Sequence, residues 1–307
     1  MNYKWIPILG EFSAEKDTFI FKGGAQQMED GRLLYNVGNF ICDQAFGNGI
    51  ISGEIEFVTS IENEACGFIL YFHPPTKAFT MAGLGAGGAL CSVQTWSGNQ
   101  WVTHSSAGEK LQLKTGHRYN LQISVVGSRV IVNLDGVDVV ITDLPFPLPA
   151  GHAGIWCMGG TNIKISRYNI TRQPPKAFVV MQFTPPYNEL YSDVIAPVCQ
   201  DLGLIAVRAD ETYGPGLIIA DIVRDITEAK VIIAEITPAN PNVYYEVGYA
   251  HALNKPTILI AEKPTQLPFD VSPLRVLFYE NTIGGKAKIE SGLRKHLEAI
   301  QRQWTTT

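Results

Sequence analysis

Apolar and polar positions change their rhythm near residue 173. Before it, short apolar-rich runs alternate with clusters of Gly, Asn and Asp, at residues 17–21, 50–58, 67–72, 89–96, 119–126, 129–134, 154–158 and 163–168. Leu121, Ile123 and Val125 alternate with Gln122, Ser124 and Val126, the period-two pattern of a half-buried strand. Asp135-Gly136 is a tight-turn pair, so residues 129–138 read as two strands of a hairpin. No helical periodicity of useful length interrupts the region. Strands at spacings of about ten residues predict an all-β sandwich of jelly-roll type over residues 1–172.

After Gln173-Pro174-Pro175 the pattern becomes strand then helix, repeated. Residues 178–183, 204–208, 231–236, 257–261 and 276–279 are apolar runs, as expected of strands buried on both faces. Between and after them the spacing predicts helices over 187–202, 217–229, 243–254 and 286–304. In the second of these, Ile218, Ile222 and Ile226 recur every four residues. Five such strands predict a flavodoxin-like α/β domain over residues 176–307, its parallel sheet ordered 2-1-3-4-5. The di-proline makes a stiff, short boundary, and two separately soluble pieces are expected on either side of it.

Composition narrows the function classes. The 307 residues are 46% apolar and 17% charged, and mean hydropathy is +0.05, a globular balance. The net charge of −5 is shared by both halves: 12 Lys and Arg against 14 Asp and Glu up to residue 173, and 12 against 15 beyond it. Neither half is basic, so neither nucleic acid nor an anionic membrane is expected as a partner. No apolar run approaches the roughly 20 residues of a membrane helix, and the apolar stretch at the start is too short for a signal peptide. Cys42, Cys66, Cys91, Cys157 and Cys199 are odd in number and form no CxxC pair, so buried thiols in a reducing cytoplasm are expected. His73, His104, His117 and His152 lack ligand spacing, and no metal is expected.

Open α/β sheets bind ligands beyond the carboxyl ends of their strands, where the strand order reverses. For the order 2-1-3-4-5 that crevice lies between strands one and three, which singles out loops 182–187 and 237–246. The stretch containing the second loop reads Ile236-Thr-Pro-Ala-Asn-Pro-Asn-Val-Tyr-Tyr-Glu-Val-Gly-Tyr-Ala-His-Ala-Leu. Asn242 is a good N-cap and puts Glu246 in the first turns of a helix. A Glu there also steadies the helix dipole by ~0.3–1 kcal/mol without any chemistry. Tyr244, Tyr245 and Tyr249 are placed to wall a pocket around it, and Gly248 and Ala250 to let the helix lie close on the sheet. Phe183 and Tyr187 lie at the end of strand one and suit either stacking on adenine or nicotinamide or core packing. Arg208, Asp210 and Tyr213 occupy the loop after strand two, where Arg208 suits a bidentate grip on phosphate or an ion pair. Gly214-Pro215-Gly216 lacks the GK[ST] of a P-loop, and Gly83-Leu-Gly-Ala-Gly-Gly precedes a strand, so neither is read as a phosphate loop. His251, one turn beyond Glu246, is read as helix packing or capping.

Taken together, Phe178-Val-Val-Met-Gln-Phe, Arg208-Ala-Asp with Tyr213-Gly-Pro-Gly, Ala234-Glu-Ile-Thr, the run 240–253, Lys255-Pro and Leu267-Pro-Phe-Asp resemble bacterial TIR-like domains, which are similar to nucleoside 2-deoxyribosyltransferases. The resemblance spans residues 176–280 and is most specific over 240–253. It implies a flavodoxin-like fold and a catalytic Glu at the start of the third helix, here Glu246. Phe183, Tyr187, Arg208, Asp210, Tyr213, Asn240, Asn242 and Tyr245 are the candidate substrate contacts. It also implies cleavage of an N-glycosidic bond, in NAD for the TIR enzymes (NAD being substrate, with no cofactor) and in deoxynucleosides for the transferases. The residue ending strand three, often Asp in these relatives, is Glu235. Breaking a ribosyl C1′–N bond builds positive charge on the sugar, which a carboxylate beneath C1′ stabilises or traps. Nicotinamide leaves a pyridinium as a neutral base and needs no general acid. A purine needs a proton, so a transferase wants a second carboxyl group, for which Asp210, Glu211 and Asp270 are available.

The first half resembles concanavalin A-like (LamG-like) jelly rolls in its strand spacing and in Arg118-Tyr-Asn-Leu-Gln-Ile, Val132-Asn-Leu-Asp-Gly and Ala153-Gly-Ile-Trp. That implies a sensor or assembly module with a carbohydrate or protein ligand. Trp96, Trp101 and Trp156 suit stacking on a sugar ring or packing in a core. The expectation for the whole chain is a cytoplasmic bacterial-type effector of the antiphage-defence kind. Its β-sandwich takes a cue or self-associates, and its TIR-like domain cleaves NAD. The rivals are a nucleoside 2-deoxyribosyltransferase-like enzyme of nucleotide metabolism and a non-catalytic nucleotide-sensing or scaffold protein.

Overall fold

The computed structural model describes residues 3–211, 218–269, 271 and 274–306. Two antiparallel sheets of eight and seven strands build the first half. The larger runs Trp5–Leu9, Leu33–Phe46, Gly151–Gly159, Ala65–His73, Ala78–Leu84, Ala89–Trp96, Trp101–Glu109, with Ala25–Gln27 paired on Leu33–Phe46. The smaller runs Val137–Asp143, Arg129–Leu134, Arg118–Val126, Gly49–Phe57, Ile163–Arg172, Thr18–Phe21, Phe12–Glu15. Alternation sends Leu121, Ile123 and Val125 into the core between the sheets, with Phe68, Leu70 and Ile155 of the larger sheet. Asp135 and Gly136 take φ of 51° and 89°, the left-handed pair that a two-residue hairpin requires. All five cysteines are free and buried.

The longest strand, Leu33–Phe46, lies outside the expected set because Asn36, Gly38 and Asn39 break its apolar alternation. Gly38 is there for clearance: a Cβ would come within 2.7 Å of the Phe12 and Phe21 rings. On the outer face of the larger sheet, Ile41, Ile69, Phe79, Met81 and Trp156 form a second apolar cluster. Trp101 joins it, with ring centroids 5.4 Å from Phe79, Trp96 and Trp156, and stays 41% exposed.

In the second half, β1 (Lys176–Val180), β2 (Ile205–Arg208), β3 (Val231–Glu235), β4 (Thr257–Glu262) and β5 (Val276–Tyr279) form a parallel sheet ordered 2-1-3-4-5, as expected. One face is covered by α1, made of Tyr187–Leu190, a π turn Tyr191–Ile195 and Ala196–Asp201, together with α4 (Ile283–Thr306). The other is covered by α2 (Ile218–Glu228) and α3 (Pro241–Ala252). Along β3, Val231 and Ile233 point to the α1/α4 face, and Ile232 and Ala234 to the α2/α3 face. Among the described residues no helix is long and apolar enough to cross a membrane.

The cap of α3 corrects the sequence expectation. Asn240, not Asn242, is the N-cap: its side-chain oxygen accepts from the Asn242 backbone N–H at 3.0 Å. Pro241 takes the first helical position, where its missing N–H and fixed φ suit the helix. The helix therefore starts earlier, and Glu246 falls in its second turn. Replacing Asn240 with Ala is expected to cost about 1 kcal/mol in urea unfolding. Unchanged stability would mean that Pro241 alone sets the start.

Candidate active site

A cleft of about 630 Å³ opens beyond the carboxyl ends of β1, β2 and β3, between α2 and α3. The chain leaving β1 lines it with Met181, Gln182 and Phe183, and the chain leaving β2 with Ala209 and Asp210. Helix α2 adds Ile219 and Ile222. Helix α3 adds Val243, Tyr245 and Glu246, with Asn240 and Asn242 at its start. The lining takes in the strand-order switch point between β1 and β3, beyond their carboxyl ends.

Glu246 is held there by the helical repeat. Val243, Val247 and Ala250 pack on the sheet, and Glu246 sits beside them at the rim of that apolar stripe. It is 8% exposed, and burial pushes its carboxyl up to about 7. A cation entering the cleft would favour the carboxylate form. Tyr245 stands at the mouth, 56% exposed, and Phe183 is 37% exposed.

Arg208 is committed within the protein. Its Nε and Nη2 each donate to Asp210 at 2.6 Å, and Nη1 donates to Asn188 Oδ1 at 2.9 Å. The guanidinium lies 5.1 Å from the Phe183 ring centroid and 4.8 Å from that of Tyr191. Of the two uses expected for Arg208, the ion pair is the one observed. Its effect is to set the Phe183 ring and the Asp210 carboxylate at the edge of the cleft.

Other candidates lie elsewhere. Tyr187 is buried in the core on the α1/α4 face with Val194 and Tyr279 and does not line the cleft. Tyr244 and Tyr249 pack against the core on the α2/α3 side, so of the three tyrosines only Tyr245 lines the cleft. Gly248 faces open space, because the 3.6-residue period turns it away from the sheet that Ala250 touches. Tyr213, Gly214-Pro215-Gly216 and Asp270 fall outside the described residues. His251 is exposed in the last turn of α3. The loop after Leu84 leads through a short turn into the strand Ala89–Trp96, so it opens no helix.

Gln182, Ile219 and Ile222 also line the cleft, and no sequence pattern marks them individually. Gln182 lies at the start of the loop after β1, which the switch-point argument does select. Ile222 belongs to a stripe that periodicity assigns to the core, and in the fold it also lines the cleft.

Glu235 is on the other side of the sheet from this site. It is 1% exposed, accepts from the Thr237 backbone N–H at 2.9 Å and from the Tyr279 hydroxyl at 3.4 Å, and burial pushes it up to about 8. Tyr279 lines a separate cleft of about 350 Å³ between α1 and the start of α4.

No protein-family model matches this chain, and no curated protein matches it. Solved structures do. The carbohydrate binding module CBM66 from Bacillus subtilis is 11% identical, with 53% of this chain and 92% of that one covered and a TM-score of 0.45. A Bacillus licheniformis beta-glucanase is 11% identical, with 56% and 95% covered and a TM-score of 0.36. A prokaryotic beta-1,3-1,4-glucanase (lichenase) derived from a mouse hindgut metagenome is 11% identical, with 54% and 90% covered and a TM-score of 0.37. The likeness is to about half of this chain. The β-sandwich described above rests on its own strand pairing.

Proposed function

We propose that the second half of the chain is an N-glycosidase that cleaves NAD at the nicotinamide ribosyl bond, and that the β-sandwich regulates it. The observation that carries the reading is the buried Glu246 carboxyl at the switch-point cleft, beside the aromatic rim of Phe183 and Tyr245. A carboxylate in a site of low dielectric is suited to an oxocarbenium ion. Among the described residues Asp210 also lines the cleft, and both its carboxyl oxygens accept from Arg208. Nicotinamide leaves without a proton and so asks only for the one carboxylate, whereas a purine asks for a proton donor as well, and NAD is the substrate proposed. The resemblance to TIR-like domains points the same way, and to a bacterial defence effector.

For the sandwich, the exposed Trp101 set in an aromatic cluster on the outer sheet face supports a carbohydrate cue. Self-association is part of the same proposal. It is read as a rise of specific activity with protein concentration, and a flat profile removes it.

The deciding experiment incubates the full chain with NAD and, separately, with deoxynucleosides, and identifies products by mass. Release of nicotinamide with ADP-ribose is expected. Base exchange between deoxynucleosides, with NAD intact, would replace this reading with the transferase.

A further inference from the structure

The sandwich meets the α/β half at a buried contact that lies at the far ends of both helices lining the cleft. The turn Gly127-Ser128, between the strands Arg118–Val126 and Arg129–Leu134, abuts the end of α2. Gly127 has φ of 64°, and a Cβ there would come within 2.1 Å of the Glu228 carbonyl oxygen, so only glycine allows this approach. The Ser128 hydroxyl donates to the Thr227 carbonyl at 3.0 Å. Lys255, just beyond the end of α3, donates to the Ala229 carbonyl at 3.0 Å, to the Ser128 hydroxyl at 3.4 Å and to the Thr227 carbonyl.

These partners are dry: Ser128 and Thr227 are 5% exposed and Lys255 is 4% exposed. The last carbonyls of a helix have no partner within it and carry the negative end of its dipole. Here a sandwich hydroxyl and a lysine just beyond the neighbouring helix satisfy them. Asn48 ties in the boundary as well, accepting from Gly127 N–H at 3.0 Å and donating to the Pro174 carbonyl at 3.4 Å. Lys230, 3% exposed, adds a bond to the sandwich carbonyl of Leu148.

We infer that Ser128 and Lys255 are positioning residues: they lock the rear ends of α2 and α3 to the sandwich and so set how Ile222 and Glu246 face each other across the cleft. Helix α2 is rigid over its eleven residues, roughly 16 Å, so a shift at Thr227 is carried to Ile219 and Ile222. A lysine this deeply buried keeps its acceptors, and the helix ends move with them. A displacement of about 1 Å at a reacting carboxyl is enough to cost 10²-fold in rate.

The kinetic side of this inference rests on the N-glycosidase reading, and the structural side does not. The test makes Ser128→Ala, Ser128→Thr and Lys255→Met in the full chain and tracks backbone amide exchange together with nicotinamide release. In Ser128→Ala and Lys255→Met, exchange is expected to quicken at least fivefold at residues 219–222 and 243–246, far from the substitution. In the same variants kcat falls about tenfold with KM near the wild-type value. Ser128→Thr, which keeps the hydroxyl, is expected to match the wild type. Faster exchange confined to residues 225–230, with the cleft amides unchanged, overturns the inference and leaves the contact as local adhesion. If Lys255→Met does not fold, Ser128→Ala decides. If the wild type releases no nicotinamide, the N-glycosidase reading fails, and the exchange pattern still decides whether the contact controls the cleft.

Discussion

Glu246→Gln is expected to lower nicotinamide release by 10²-fold or more while leaving the fold intact. The substitution keeps the volume and removes the charge that faces the oxocarbenium ion. Stability should respond in the opposite sense, and only at higher pH. The Glu246 carboxyl is pushed up to about 7 by burial, so its favourable contribution is present below the unfolded value, about 4.5, and is lost as pH rises through about 7. The glutamine variant does not titrate. It should therefore match the wild type near pH 4.5 and exceed it by on the order of 3 kcal/mol above pH 7. Activity runs the other way: kcat/KM of the wild type should rise with pH through about 7 as the carboxylate forms. Thermal melting at both ends of the range and a kcat/KM profile check all three statements. Near-normal turnover in the folded variant would remove Glu246 from the chemistry.

Glu235→Gln should give the larger stability effect and almost no kinetic one. Burial pushes Glu235 up to about 8, so its stabilising contribution is present below about 4.5 and is lost as pH rises through about 8. The variant keeps an acceptor for the Thr237 N–H and carries no charge. It should gain on the order of 5 kcal/mol over the wild type at pH 9 and nothing at pH 4.5, by urea unfolding. Turnover should stay within a few-fold, because the β-sheet separates Glu235 from the cleft. A loss of activity comparable to that of Glu246→Gln would mean that the two carboxyl groups work together, and the single-carboxylate mechanism would fail.

Much of this molecule is legible as pattern. The change of rhythm at Gln173-Pro174-Pro175, the alternation at Leu121, Ile123 and Val125, and the five apolar runs after it specify sandwich and parallel sheet, because burial on one face or on both leaves periods that local sequence must carry. The strand order and the path to Glu246 come from the same runs. What the sequence leaves open is decided by contacts between distant segments. Leu33–Phe46 is a strand because three other strands pair with it, although its own alternation fails. Arg208 holds Asp210 and Asn188 rather than facing an open phosphate site, because the fold brings α1 beside the end of β2. Tyr187 and Glu235 lie on the α1/α4 face and Glu246 in the cleft, a separation set by which way each side chain points from a shared sheet. Above all, Ser128 and Lys255 stand 127 residues apart in the chain and share a buried hydrogen bond. No local period encodes that bond; it exists because the sandwich docks against the ends of the two helices that line the cleft.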